Sequence, residues 1–110
     1  MSINSTVKAA LDPVAPVKAD TYEGDEAVYI TFGYASVPDG FADDAPEYER
    51  YLLSVHLYAP TGYNTIKKRK AIKKALAAIA ETYPSMVNAS DKEGQHLVFE
   101  CELVGEVGGE

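Results

Sequence analysis

The longest regular pattern in the chain is helical and covers residues 64–83. Four apolar side chains fall within one narrow arc at 100° per residue: Ile72, Leu76, Ile79 and Tyr83. Asn64 is a candidate N-cap because its side chain can accept a hydrogen bond from the unpaired amides of the first turn. Pro84 is expected to end the helix because a proline disfavours helical backbone in the residue before it. The spacing therefore predicts an amphipathic helix over residues 64–83 with one buried stripe.

A shorter helical pattern lies near the start of the chain, over about residues 2–11. Its apolar positions are Ile3, Val7, Ala10 and Leu11, and Asp12-Pro13 follows them. A stripe this small is not stable alone in water, so the helix is expected to dock on the rest of the domain.

Period-two alternation marks the strands, at residues 26–34, 48–59 and 96–104, with a possible short strand at 85–89. The predicted inward-facing positions are Val28, Ile30, Phe32, Tyr34, Tyr51, Leu53, Val55, Leu57, Ala59, Leu97, Phe99, Cys101 and Leu103. The opposite face is expected to be half-polar and to carry Tyr29, Thr31, His56, Tyr58, Glu100 and Glu102. An oligomer could use such a face as an interface or as a channel wall.

These elements predict one α+β domain over residues 1–110. We expect a mainly antiparallel sheet of about four strands, with the short N-terminal helix and the long helix packed on one face. Residues 36–47 hold two prolines and four acids without periodicity, which is typical of a mobile or functional loop. Residues 105–110 are expected to be a frayed tail.

Composition narrows the possible functions. The chain has 110 residues, 46% of them hydrophobic, and a formal net charge of −7, which disfavours nucleic-acid binding over the whole surface. The single cysteine, Cys101, excludes an internal disulfide and fits a reducing compartment. No segment has the pattern of a secretion signal or a membrane span, so no membrane partner is expected.

No residue pattern favours an enzyme, and we expect no cofactor and no metal. His96, Glu100 and Glu102 share a predicted strand face, with His56 on another strand, but exposed polar strand residues explain this arrangement better than a metal site. The acids cluster in turns and in the loop, where solvated carboxylates serve solubility. Cys101 shares the predicted apolar strand face and has no neighbouring cation in the sequence, so it is expected to be a buried structural thiol.

The least ordinary feature is a basic cluster in an acidic chain. Six of the ten basic residues lie within eight positions: Lys67, Lys68, Arg69, Lys70, Lys73 and Lys74. Lys67, Lys70 and Lys74 lie opposite the apolar arc, while Lys68 and Arg69 flank it. The cluster could be a solvated face, a contact with nucleic-acid phosphate, or a contact with an acidic protein surface. The acidic loop residues Asp39, Asp43, Asp44 and Glu47 would complement it in a head-to-tail contact between copies.

Four segments of the chain resemble a known family: VKAALDPV, DTYEGDEAVYITFGY, SVHLYAPTGYNTIKKRKAIKKAL and HLVFECELVGE. They are similar to segments of the small neck proteins of long-tailed phages and prophages, and more narrowly of siphophage tail terminator (tail-completion) proteins. The resemblance covers about residues 5–104 and includes the order of elements.

The resemblance implies a structural virion protein that is assembled in the bacterial host cytoplasm. Such proteins form a hexameric ring on the head-proximal end of the tail tube, where the ring stops tube assembly and joins the tail to the head–tail connector. The implied partners are further copies of the chain, the tail tube protein and the connector (stopper) protein, with DNA passing through the lumen. From strand periodicity and charge, and not from the resemblance, Glu100 and Glu102 are candidate lumen residues. Two alternatives stay open: another neck or tail-tube component, and a small cytoplasmic nucleic-acid-binding module that uses the basic helix.

Overall fold

The computed structural model describes residues 2–39 and 48–105. Seven elements follow in chain order: α1 (Ile3–Leu11), β1 (Val17–Ala19), β2 (Tyr29–Asp39), β3 (Tyr48–Ala59), α2 (Ile66–Ala77), β4 (Ser85–Asn88) and β5 (Gln95–Gly105). The strands form one sheet in the order β1-β2-β3-β5-β4. The β1–β2 pair is parallel, and the other three pairs are antiparallel.

The α+β class is confirmed, but the expected strand number and pairing are wrong in detail. The described residues form five strands rather than about four, and the sheet is mixed. The additional strand, β1, has three residues and follows Pro13 and Pro16 closely. Three residues are too few to show a period of two. Its pairing comes from tertiary contacts such as the hydrogen bond from the amide of Ile30 to the carbonyl of Pro16.

One hydrophobic core lies between the sheet and the two helices. Val7 and Leu11 of α1 and Ile72 and Leu76 of α2 are fully buried in the same cluster as the inward side chains of the strands. The alternation predicted these inward positions correctly, including every second residue from Tyr51 to Ala59 on β3 and from Leu97 to Leu103 on β5. Both helices therefore cover the same face of the sheet. None of the described helices is long and apolar enough to cross a membrane.

The long helix is shorter than predicted. α2 ends at Ala77, and Tyr83 is 76% exposed instead of completing the buried stripe. The backbone beyond the helix binds the sheet instead, because the amide of Glu81 donates to the carbonyl of Glu102 at 2.7 Å. The N-terminal end also differs slightly. Thr65 occupies the N-cap position, although the Asn64 side chain does accept from the amide of Ile66 at 3.1 Å.

β3 has the predicted bounds, Tyr48–Ala59, but β2 begins at Tyr29 rather than at residue 26 and extends beyond residue 34. β2 runs to Asp39 and pairs with Tyr48 of β3, so residues 36–39 belong to a strand and not to a loop. At the other end of the chain, Gly105 is the last residue of β5 and not the start of a tail. The rest of the predicted loop and the rest of the predicted tail lie outside the described residues. This part of β2 was missed because residues 36–38 are all exposed and Asp39 is half-buried, so there is no alternation of burial.

Candidate functional site

The face of the sheet opposite the helices, named here the open face, is not covered by α1 or α2. Cross-strand pairing defines its rows, with Thr31 beside His56, Tyr29 beside Tyr58, and Leu52 beside Glu102. The register therefore confirms the predicted composition of this face. It carries Tyr29, Thr31, His56, Tyr58, Glu100 and Glu102.

Part of the open face is apolar and exposed. Val37, Leu52 and Val104 lie in adjacent rows on β2, β3 and β5, with exposed fractions of 46%, 44% and 40%. A groove of about 600 Å³ runs beside them, lined by Leu52, Glu100 and the exposed Tyr83 among others. Uncovered apolar side chains grouped in this way are characteristic of a surface that another protein covers.

Arg50 ties together the three central strands at this apolar part of the face. Its Nη2 and Nε atoms lie 3.2 and 3.3 Å from Oδ2 of Asp39, and its Nη1 atom lies 3.6 Å from Oε1 of Glu102. The hydrogen bond with Asp39, together with the charges of Asp39 and Glu102, raises the pKa of Arg50 against the opposing effect of desolvation. Asp39, predicted as an interface residue, is thus an ion-pair partner within its own chain.

The other end of the open face carries a column of stacked rings. Tyr22 stacks on Tyr29 at 4.5 Å between ring centroids, Tyr29 on Tyr58 at 4.9 Å, and Tyr58 on His96 at 4.4 Å. His56 continues the column at 5.0 Å from His96. These rings come from three strands and from the segment before β2, so stacking holds that segment against the sheet.

The two histidines of the chain are hydrogen-bonded to each other. Nδ1 of His56 lies 2.7 Å from Nε2 of His96, so one of these nitrogens donates and the other accepts. The acceptor nitrogen carries no proton, which requires one ring to be neutral. Burial lowers the pKa of His56 below its ordinary value of 6.5, the charge of His96 lowers it further, and Glu100 raises it.

Acidification is expected to destabilise the fold through His56. Because its pKa is lower folded than unfolded, the unfolded chain binds more protons between these two values. The stabilisation is complete above pH 6.5 and is lost as the pH falls towards the lowered pKa of the folded state. Urea unfolding measures the free energy of unfolding between pH 7.5 and 5. It should fall more steeply with decreasing pH for the wild type than for His56→Phe, which keeps a stacked ring. If the free energy of unfolding of both proteins changes with pH in the same way, His56 contributes no pH dependence.

The basic cluster of α2 divides into three exposed residues and three half-buried ones, the latter being Lys68, Arg69 and Lys73. Lys67, Lys70 and Lys74 are exposed, and within residues 2–39 and 48–105 they form no ion pair. Lys68 and Arg69 are half-buried and bonded within the chain. Nζ of Lys68 donates to the carbonyl of Val14 at 2.7 Å, and Nε of Arg69 donates to Oγ1 of Thr65 at 2.8 Å. These two side chains hold the helices and the start of α2 in place.

The remaining candidates from the sequence are placed as follows. Cys101 is 5% exposed, and burial raises the pKa of its thiol to about 11, as expected for a structural thiol. Asp43, Asp44 and Glu47 lie outside the described residues. Across residues 2–39 and 48–105, no three His, Cys, Asp or Glu side chains are grouped so as to hold a metal ion.

Three features of the site were not predicted: the Arg50 ion pairs, the His56–His96 hydrogen bond and the position of Tyr22. The first two depend on strand register, which alternation does not fix. The sequence shows Tyr22 only as an aromatic residue within an acidic turn, which does not indicate that its ring stacks on Tyr29.

Comparisons with known proteins identify the fold and no more. No family model and no curated protein matches the chain. Seven chains among the solved structures are similar to it. One of them, whose name states no function, has 13% sequence identity and a TM-score of 0.58, and the match covers 96% of this chain and 87% of that chain. At this identity the likeness shows the fold alone, since one fold serves many functions.

Proposed function

We propose that the chain is a structural protein of the neck of a long-tailed phage or prophage. In this proposal it is a tail terminator: copies form a ring, about six in number, at the head-proximal end of the tail tube. The ring ends tube assembly and joins the tail to the head–tail connector, while DNA passes through its lumen. The specific role is supported by the resemblance of the four sequence segments over about residues 5–104.

The observation that carries the assembly part of the proposal is the uncovered apolar area on the open face. Val37, Leu52 and Val104 are each at least 40% exposed although they project from the three central strands of the sheet. Covering them with another copy removes apolar surface from water, which is the main driving force of association. Both helices occupy the opposite face, so no described helix of the same copy covers them.

Under this proposal Glu102 lies in the subunit contact and not in the lumen. Glu102 stands beside the exposed Leu52 and is paired with Arg50 at 3.6 Å. A carboxylate with an arginine partner repels DNA phosphate less than a free one, and its apolar neighbour suits a protein contact better than a water-filled channel. Glu100 is exposed on the same face and is placed in the contact with it.

A nucleic-acid-binding module is the second candidate, and the exposed lysines of α2 favour it. Lys67, Lys70 and Lys74 form one row along the helix without carboxylate partners among the described residues. Such a row could contact phosphates along a duplex. The net charge of −7 opposes this reading, because long-range repulsion acts on the approaching DNA.

Native mass spectrometry separates the two candidates. The full chain, alone and mixed with the tail tube protein encoded by the same phage or prophage, is expected to give a species of about six 11.9-kDa copies or a complex with the tube protein. A protein that stays monomeric in both samples, and instead binds duplex DNA in a salt-dependent way that is lost in Lys67→Glu/Lys70→Glu/Lys74→Glu, contradicts the ring and supports the DNA-binding module.

A further inference from the structure

The end of the open face that carries the ring column is strongly acidic. Two segments border it, residues 20–27 before β2 and the turn at residues 91–94 between β4 and β5. Together they hold six carboxylates against the single basic residue Lys92: Asp20, Glu23, Asp25, Glu26, Asp91 and Glu93. All six side chains belong to exposed residues. This surface, named here the acidic end, lies beside Tyr29 at the start of β2, whereas Asp39 is at the other end of that strand.

The acidic end has a fixed shape because the ring column supports it. Tyr22 stacks on Tyr29, which holds segment 20–27 against the sheet. A groove of about 360 Å³ lies between the two acidic segments, with Ala27 and Tyr29 on one side and Asp91 and Glu93 on the other. The groove thus places the carboxylates of Asp91 and Glu93 beside an aromatic floor that includes Tyr29 and Tyr58.

The exposed lysines of α2 are the complementary surface of the molecule. Lys67, Lys70 and Lys74 form no ion pair with the acidic end within residues 2–39 and 48–105. α2 packs on the core face of the sheet, while Tyr29 and Tyr58 of the groove lie on the open face. The described part of the chain therefore presents a basic helix face and an acidic sheet end that are not paired with each other. Opposite charges arranged in this way favour contact between copies.

We propose that Lys67, Lys70 and Lys74 of one copy dock on the acidic end of the next copy. This contact rests on the proposed ring and supplies a specific subunit interface for it. The two surfaces differ, so the contact is head-to-tail, and such contacts close into a ring when the rotation between copies allows it.

Charge reversal on each surface tests the contact. One variant carries Lys67→Glu, Lys70→Glu and Lys74→Glu; the other carries Glu23→Lys, Glu26→Lys and Glu93→Lys. The first variant then has negative charge on both surfaces, and in the second the acidic end keeps three carboxylates against four lysines, so neither retains the attraction. Each variant alone should self-associate at least about tenfold more weakly than the wild type. An equimolar mixture should regain the wild-type mass as an alternating ring. A single chain with all six changes should regain it as well.

Sedimentation velocity at low and high salt measures the masses, and circular dichroism checks that every variant is folded. Wild-type assembly by either triple variant alone overturns this contact but leaves the ring, which would then use another surface. Two folded triple variants that stay apart when mixed overturn it as well. A wild-type chain that is monomeric at low salt overturns the contact in solution. The proposed function is overturned as well only if the chain also does not bind the tail tube protein.

Discussion

Replacement of Leu52 by lysine is expected to abolish self-assembly while leaving the free energy of unfolding within about 1 kcal/mol of the wild type. Leu52 projects from the central strand β3 onto the open face and is 44% exposed. A lysine there stays solvated in the free chain, and Glu102 directly across on β5 offers it a cross-strand partner. In the assembled ring the same lysine would be taken out of water into an apolar contact, which costs several kcal/mol.

Sedimentation velocity and urea unfolding measure the two expected effects on one sample. Ala9→Lys is the matched control, because it adds the same side chain at an exposed position of α1, away from the open face. The control should assemble like the wild type. A Leu52→Lys protein that assembles like the control would mean that the apolar area of the open face is not a subunit contact.

Replacement of Phe99 by alanine is expected to lower the free energy of unfolding by about 3–5 kcal/mol. Phe99 is fully buried in the core cluster and lies between Val55 of β3 and Met86 of β4. Its removal leaves a cavity beneath the helices that the close-packed neighbours cannot fill. Denaturant unfolding of the two proteins measures this difference in the free energy of unfolding.

Val98→Ala is the matched control for the core prediction. Val98 is the neighbour of Phe99 on β5 and projects from the opposite face, beside His56. Its side chain is only half-buried, so its truncation should cost about 1 kcal/mol or less. Equal losses for Phe99→Ala and Val98→Ala would mean that the core does not lie on the helix side of the sheet.

The strand faces could be predicted from the sequence because a period of two does not depend on partners. Leu53, Val55 and Leu57 alternate with Ser54 and His56 whichever strands lie beside them. The end of α2 could not be predicted in this way. Tyr83 falls at a helical position in the sequence. The amide of Glu81, however, donates to the carbonyl of Glu102 on β5, so the backbone joins the sheet and the helix ends before Tyr83.

The site was predictable as a face and not as a set of contacts. Alternation placed Glu102 and His56 on the half-polar side, but the pairs Arg50–Asp39 and His56–His96 require a known strand register. The acidic end illustrates a second limit. Residues 20–27 and 91–94 are far apart in the chain, and only the groove that Ala27 shares with Asp91 and Glu93 shows that the two segments are neighbours.

Electron microscopy of tail tubes is the most direct test of the central claim. Tube protein polymerised with an excess of this chain is expected to give tubes of limited length that carry a ring at one end, and Leu52→Lys should give unlimited tubes without rings. Tubes that elongate to the same length with and without the wild-type chain, and that carry no extra density at either end, would contradict a tail terminator.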